Sequence, residues 1–326
     1  MTTTVLPRGR QSRVRLAYQS AFATQATTGF QELSTYSHTF NRSRPLADDD
    51  ILGAGFHNLV DERPAAPGLE EAEASLSVPF DLAQIGFWLR AAMGAPTTSG
   101  TTIKTHVFTT GSTSLPSLTL EREFVSAAQL EALVGGVVKT AKFDFGPAQG
   151  FRSLDLSLAG RQVLAPYSAS IAGTPTVQAL SNRVPASIGV IKQGGTAIGQ
   201  VISGDLTLTN DFEMDRYVGD PFRSAAALNA INAELNFTAR YTTDTQRNFA
   251  NPDATTLLPA AYAISIEYVV SATLKLVLDL PAVRYEPVSI AVQNGKALTQ
   301  SFKGRCEVGA SSPMLTATLT NAFASY

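Results

Sequence analysis

The chain of 326 residues (34.5 kDa) carries 25 Lys and Arg against 27 Asp and Glu, a net charge of −2, and 44% of it is hydrophobic. That balance excludes a general polyanion binder held by an excess of cations, and the hydrophobic content excludes intrinsic disorder, which pairs low hydrophobicity with high net charge. Charged residues make up only 16%, against about 25% in an ordinary soluble domain, and Ser, Thr, Ala and Gly fill the difference.

The opening residues, Met1 to Arg10, place basic side chains where a secretory signal needs an apolar run, so the chain is expected to stay in the compartment where it is made. Arg8, Arg10, Arg13 and Arg15 are too few for a nucleic-acid arm. They predict an extended segment, residues 1–18, that reaches a neighbouring subunit and pairs with its carboxylates. Asp48-Asp49-Asp50 lacks the spacing of a calcium loop and reads as a loop or cap before Ile51. From Glu71 to Val78 every even position is apolar and every odd one polar, the pattern of a half-buried strand.

A helix is predicted next. Asp81 can cap its first turn, Leu82, Ile85, Leu89 and Ala92 or Met93 form one apolar stripe, and Gly94 with Pro96 ends it. It should lie against a sheet with Trp88 at the edge of the contact. Alternation returns at Leu118–Glu121, Leu154–Leu158, Leu206–Thr209 and Leu274–Leu280, punctuated by turns such as Gly146-Pro147 and the type I′ signal Asn294-Gly295. The apolar run from Leu130 to Val138 is broken by Glu131 and Gly135-Gly136, and it is far shorter than the roughly 20 residues a bilayer-spanning helix needs. Gly194 to Gly199 has the outline of a phosphate loop, but Gln200 stands where that loop needs Lys, so it reads as a turn between strands. The chain is predicted to be mainly antiparallel β.

Little in it suggests chemistry. Cys306 is alone, so an internal disulfide or Cys-based zinc site is excluded, and a buried thiol is expected. His38, His57 and His106 sit in no metal-binding spacing. No cofactor, metal or catalytic group is expected, because no nucleophile stands with a base. A carbohydrate-cutting enzyme would need paired carboxylates, for which Glu121 with Glu123 or Asp48 with Asp50 are the nominees, yet residues two apart on a strand are common on any β surface. An outer-membrane barrel would share the alternation and the aromatic Tyr326 but needs export.

An internal echo bears on domain organisation. The strand and helix at Ala74–Met93 are matched at Glu234–Ala250, where Leu235, Phe237 and Ala239 alternate before Asp244, and Leu154–Leu158 is matched by Leu315–Leu319. Both offsets are about half the chain, as a duplication would give. Two related antiparallel β-sandwich or barrel units, each with a flanking helix, are the expectation: residues 1–18 an arm, 19–165 the first unit, 166–188 a linker, 189–326 the second. A single large sandwich is the alternative.

Taken in order, several segments resemble a known family. They are Gln11-Ser-Arg-Val-Arg-Leu-Ala-Tyr18 with Ala21-Phe22; Val78-Pro-Phe-Asp81, Gly86-Phe-Trp-Leu89 and Met93-Gly94; and His106-Val-Phe-Thr-Thr-Gly111 with Leu115-Pro-Ser-Leu-Thr-Leu-Glu121. Gly135-Gly-Val-Val-Lys-Thr140, Leu154 to Gly160, Leu206 to Glu213 and Thr318 to Tyr326 continue the series. Together they are similar to the tail tube proteins of long-tailed bacteriophages. The likeness runs over nearly the whole chain, carried by order and texture rather than by one chemical motif, and Thr242–Leu258 departs from it.

The resemblance implies a β-sandwich or barrel with a flanking helix, assembled as six-fold or pseudo-six-fold rings that stack into stacked rings forming a hollow tube. Neighbouring sheets would join around the bore, which removes exposed edges, and DNA would pass through at ejection without specific binding. A duplicated chain would close such a ring as a trimer, whereas a single unit would need a hexamer. The implied partners are copies of the chain, the tape-measure protein, the tail terminator, baseplate or hub proteins and a sheath if the tail is contractile, with no membrane. The implied location is the virion tail, after synthesis in the bacterial host cytoplasm. Another virion structural protein, such as a capsid decoration or baseplate module, is the alternative. A conduit must avoid holding a polyanion, and the polar positions of the alternating strands, Glu71, Glu73, Glu121, Glu123 and Asp155, are the candidates to line it. An outer solvated face is equally compatible with each. In such an assembly the low charge content reflects buried subunit contacts, whose cores are depleted in charge.

Overall fold

The computed structural model describes residues 8–48, 65–164, 166–241, 250, 257–287 and 297–326. A 3-10 turn at Gly9–Gln11 leads into β1 (Ser12–Tyr18), β2 (Gln31–Leu33), β3 (Ser37–Ser43), β4 (Leu46–Ala47), β5 (Ala66–Pro67) and β6 (Glu71–Pro79). Helix α1 (Ile85–Met93) is followed by β7 (Thr97–Ser99), β8 (Lys104–Thr109), β9 (Leu118–Phe124), the long β10 (Gln129–Asp144), β11 (Ser153–Gly160) and β12 (Gln162–Val163). Then come β13 (Thr176–Val177), β14 (Val190–Gln193), β15 (Thr196–Ala197), β16 (Val201–Asp215) and β17 (Ala225–Arg240). The chain closes with β18 (Tyr262–Ser271), β19 (Leu274–Tyr285), β20 (Thr299–Glu307) and β21 (Thr316–Asn321). The protein is mainly β, as the alternation predicts.

The period-two pattern decides which face each strand buries. In β6, Ala72, Ala74, Leu76 and Val78 are buried while Glu73 and Ser75 are exposed. In β20, Phe302, Gly304 and Cys306 point inward and Ser301, Lys303 and Arg305 outward. Each fully buried Leu, Val or Phe contributes about 1.5–3 kcal/mol relative to exposure. One large core cluster draws on both halves of the chain, from Val14 and Leu76 to Leu278 and Leu319.

Three runs of paired strands surround that core. The longest is a broad antiparallel sheet with strands in the order β3, β6, β11, β10, β16, β17, β20, β19. A second joins β2, β1, β9, β10 and β12, and a third joins β14, β18, β19, β21, β8 and β7. β10 belongs to the first two and β19 to the first and third. β10 pairs with β9 through Gly136 and with β11 from Val137 onward, and its register shifts at Val134/Gly136 and Val138/Thr140. Gly135, at φ 70°, supplies the left-handed residue that the first irregularity needs.

The pairing order repeats. β3–β6–β11–β10 in the first half has the same chain-order pattern as β16–β17–β20–β19 in the second. Likewise β1–β9–β10–β12 is matched by β14–β18–β19–β21. The echo between Ala74 in β6 and Glu234 in β17 therefore joins strands in equivalent places. The second echo does not, since the counterpart of β11 is β20, while Leu315–Leu319 leads into β21, the counterpart of β12. The segment expected to turn helical after Asp244, and Asn294-Gly295, lie outside the described residues.

The predicted helix forms, with three differences, the first being that Leu82–Gln84 form a turn and the helix begins at Ile85. The Ala83 and Gln84 N–H groups donate to Asp81 Oδ1 (2.8 and 3.2 Å), and Gly94, at φ 97°, donates to the Arg90 carbonyl at 2.9 Å. Yet α1 is buried on nearly every side rather than along one stripe, and Trp88 is 1% exposed rather than at an edge. The C-terminus covers the helix face that carries Gly86 and Phe87. Phe87 packs edge-on against Phe323 and Tyr326, and the Tyr326 hydroxyl donates to the Ala83 carbonyl at 2.7 Å. A Cβ on Gly86 would stand 2.3 Å from the Tyr326 ring, so only glycine admits it.

Residues 166–188 lie as a strap against the first half. β13 pairs in parallel with β2, the Asn182 N–H donates to Asp81 Oδ2 at 2.6 Å, and Val184 pairs with Phe80 through its backbone. The Gly194-Gly195 turn joins β14 to β15, both residues left-handed, and Cys306 is buried, as expected.

Candidate functional site

The outer face of the broad sheet is an extended polar surface. One row of directly opposed residues runs Ser37, Ser77, Asp155, Lys142, Thr207, Glu234, Arg305, Arg284, crossing eight strands without an apolar side chain. A row on the opposite face, Val78, Leu154, Phe143, Leu206, Leu235, Gly304, Tyr285, is wholly buried. Alternation in the stretches of strand that cross these two rows thus places a polar face over a buried one.

Hydroxyls and carboxylates dominate that face. Thr140 bonds Ser157 (2.6 Å), Thr238 bonds Ser301 (3.0 Å), and the Ser77 hydroxyl donates to Asp155 (2.6 Å). Three of its cations are engaged, while Arg305 and Arg240 have no carboxylate within 4.0 Å among the described residues. Lys142 lies 3.7 Å from Asp205, Lys303 3.5 Å from Glu286 and 3.9 Å from Glu234, and Arg284 2.8 Å from Glu307. Such exposed pairs add little stability, but they hold positive charge against local carboxylates. Partial burial, helped by Asp205 and Asp155, raises the Asp144 carboxyl above its usual range despite Lys142 nearby.

Of the acidic residues nominated from sequence, Glu73 and Asp155 stand exposed on this face. Glu71 joins them at its border, held by Arg216 (2.7 Å) and Arg223. Glu121 and Glu123 belong to β9, which lies outside the broad sheet, between β1 and β10. Glu121 is fully buried and so cannot line a bore in this chain. It accepts bonds from Arg15 (2.7 Å), Ser170 (2.7 Å), the Ile171 N–H (2.8 Å) and Tyr167 (3.0 Å). The strap covers β9, so the polar side of Leu118–Glu121 is interior, which alternation alone does not reveal. Asp144, Asp205 and Glu234 were missed, although Asp205 and Glu234 border runs whose alternation was legible.

A family model described as phage tail tube protein matches residues 9–320. The chain belongs to that family. It is a structural subunit of the phage tail tube, a component of the virion tail that assembles with itself. No curated protein matches the chain.

In this tube subunit the nominated arginines divide. Arg8 and Arg10 are exposed before β1. Arg13 sits within β1, 4.0 Å from Glu32. Arg15 is buried and binds Glu32, Glu121 and Glu123 of its own chain, so the carboxylate pair considered for an enzyme converges on one guanidinium. His106 is buried between Thr98 (2.8 Å) and the Phe323 carbonyl (3.1 Å), and His38 contacts Thr35 at 3.1 Å. His57, Asp49 and Asp50 lie outside the described residues. Among the described residues no cluster of His, Cys, Asp or Glu could hold a metal, and no helix is long and apolar enough to cross a membrane.

Proposed function

We propose that the subunit polymerises as stacked rings whose bore is lined by the polar face of the broad sheet, and that DNA slides through this bore at ejection. The unbroken polar row over eight strands carries the reading. A bore needs a wide polar surface with few free cations, because unpaired Lys and Arg would hold phosphates, and Lys142, Lys303 and Arg284 are each held by carboxylates. Glu71, Glu73 and Asp155 line it in this reading, with Asp144, Asp205 and Glu234.

The repeated pairing order supports two copies of one unit per chain, residues 19–165 and 189–326, joined through 166–188. Three chains then close a ring of pseudo-hexameric symmetry. Arg8 and Arg10, with the residues before them, serve as an arm to a neighbouring subunit or ring. The tape-measure, terminator and baseplate or hub proteins meet the bore and the tube ends, and assembly follows synthesis in the host cytoplasm.

Cryo-electron microscopy of the recombinant protein at high concentration tests the reading. Hollow stacked rings with Glu73 and Asp155 facing inward are expected. Failure of the wild-type protein to polymerise, or a tube with this face outward, would overturn it.

A further inference from the structure

At the β3 border of the broad sheet, a pocket of about 590 Å3 is lined by Arg8, Arg10 and Arg122 and by no carboxylate. Its walls come from the Gly9–Gln11 turn, from residues 35–38 entering β3, and from the end of β9 with Phe124 and Ser126. Arg122 is fixed in place. Its Nε and Nη2 donate to Glu131, Nε at 2.8 Å, and its guanidinium lies over the Phe40 and Phe124 rings at 4.8 and 4.9 Å. Glu131 also balances its charge.

Arg8 and Arg10 have no such partner. Both are exposed, and neither has a carboxylate within 4.0 Å among the described residues, whereas Arg15, Arg42, Arg161 and Arg284 each meet one in their own chain. Burial, then the Arg122 charge, holds the His38 imidazole below its ordinary 6.5, so near neutral pH that ring is an uncharged part of the wall. Two uncompensated positive charges therefore line one acid-free pocket, an arrangement that repels itself until an anion joins it.

We infer that this pocket is a binding site for a small phosphomonoester, with its terminal phosphate on Arg8 and Arg10 and its organic part against the Tyr36 and Phe124 rings. The charge selects the class. A phosphomonoester carries about −1.5 to −2 near pH 7 and matches two guanidiniums, while a single carboxylate or a phosphodiester leaves one of them unbalanced. Guanidinium forks suit phosphate oxygens, and the Ser37 and Ser126 hydroxyls in the lining are further donors. The volume falls within the roughly 300–1,000 Å3 of small-molecule sites, so there is room for more than phosphate alone, and the two aromatic rings offer a planar group a surface to pack on. Bound there, the ligand ties the Gly9–Gln11 turn, at the root of the proposed arm, to β3 and β9.

Equilibrium dialysis of the full-length protein against radiolabelled inorganic phosphate and adenosine 5′-monophosphate tests the site. Saturable binding of one adenosine monophosphate per chain is expected, tighter than that of phosphate alone. Arg8→Ala and Arg10→Ala should each weaken it about tenfold or more, while Arg13→Ala, outside the pocket, should leave it unchanged. Succinate and a short DNA duplex without terminal phosphates should not compete. No saturable binding, binding unchanged in both arginine variants, or competition by succinate or by the duplex would overturn the site. The site does not rest on the tube reading: ligand is counted per chain whether or not tubes form, and absence of tubes bears on that reading alone.

Discussion

Arg152 is buried and satisfied entirely by backbone. Its Nε donates to the Ile188 carbonyl (2.6 Å) and Nη1 to that of Asp144 (2.9 Å), while Nη2 reaches Phe145 (3.2 Å), Gly146 (3.0 Å) and Ala186 (2.8 Å). It fastens the end of the strap to the turn between β10 and β11. Arg152→Leu strips several buried carbonyls of their donor and is expected to cost about 3–5 kcal/mol in urea unfolding. His106 carries a pH dependence. Burial holds its imidazole below the ordinary 6.5, so the unfolded chain binds the proton more tightly. Its contribution is full above pH 6.5 and is lost as pH falls below it toward the folded value. Stability measured at pH 5 should fall below that at pH 7, and His106→Gln should flatten that part of the profile. Burial also pushes the Cys306 thiol up to about 12. A thiol reagent at pH 8 should therefore label the native protein far more slowly than the urea-unfolded chain.

At the scale of elements, α1 shows how one residue fixes an arrangement that propensity would not favour. Glycine weakens a helix by about 1 kcal/mol relative to alanine, yet Gly86 is where the Tyr326 ring sits. Gly86→Ala should raise intrinsic helicity and still destabilise the protein, because the C-terminal aromatic is expelled along with the Asn321–Tyr326 bond of 2.7 Å. Carboxypeptidase digestion checks this: faster loss of Tyr326 is expected in the variant, at unchanged rates elsewhere. The strands were legible because their period of two is written directly in the sequence, as at Glu71–Val78. The burial of Phe87 and Glu121 was not, because each is covered by a segment distant in sequence, the C-terminus in one case and the strap in the other.

For the whole molecule, the polar sheet face is where charge should matter. If this face lines the proposed bore, Glu73→Lys and Asp155→Lys together turn a lining that repels phosphate into one that holds it. Tubes of this variant should retain DNA in a manner that falls steeply with salt, while wild-type tubes should not. Equal retention by both would count against a bore lined by these residues. The low charge content fits the same scale, since ring and stack contacts of the proposed kind place Ser, Thr and Ala surface in interfaces.

The sequence by itself determined the mainly β class, the position and C-terminal end of α1, the buried lone thiol and the likeness to the tail tube family, all of which follow from local periodicity, turn chemistry and the order of segments along the chain. Only the tertiary structure decided which carboxylates share a face. Strand order is set by long-range pairing, so Asp155, Lys142 and Glu234 meet in one row although nothing local links them. The repeat was visible only as an echo for the same reason. Its two halves share a pattern of pairings, and pairings are properties of the folded chain.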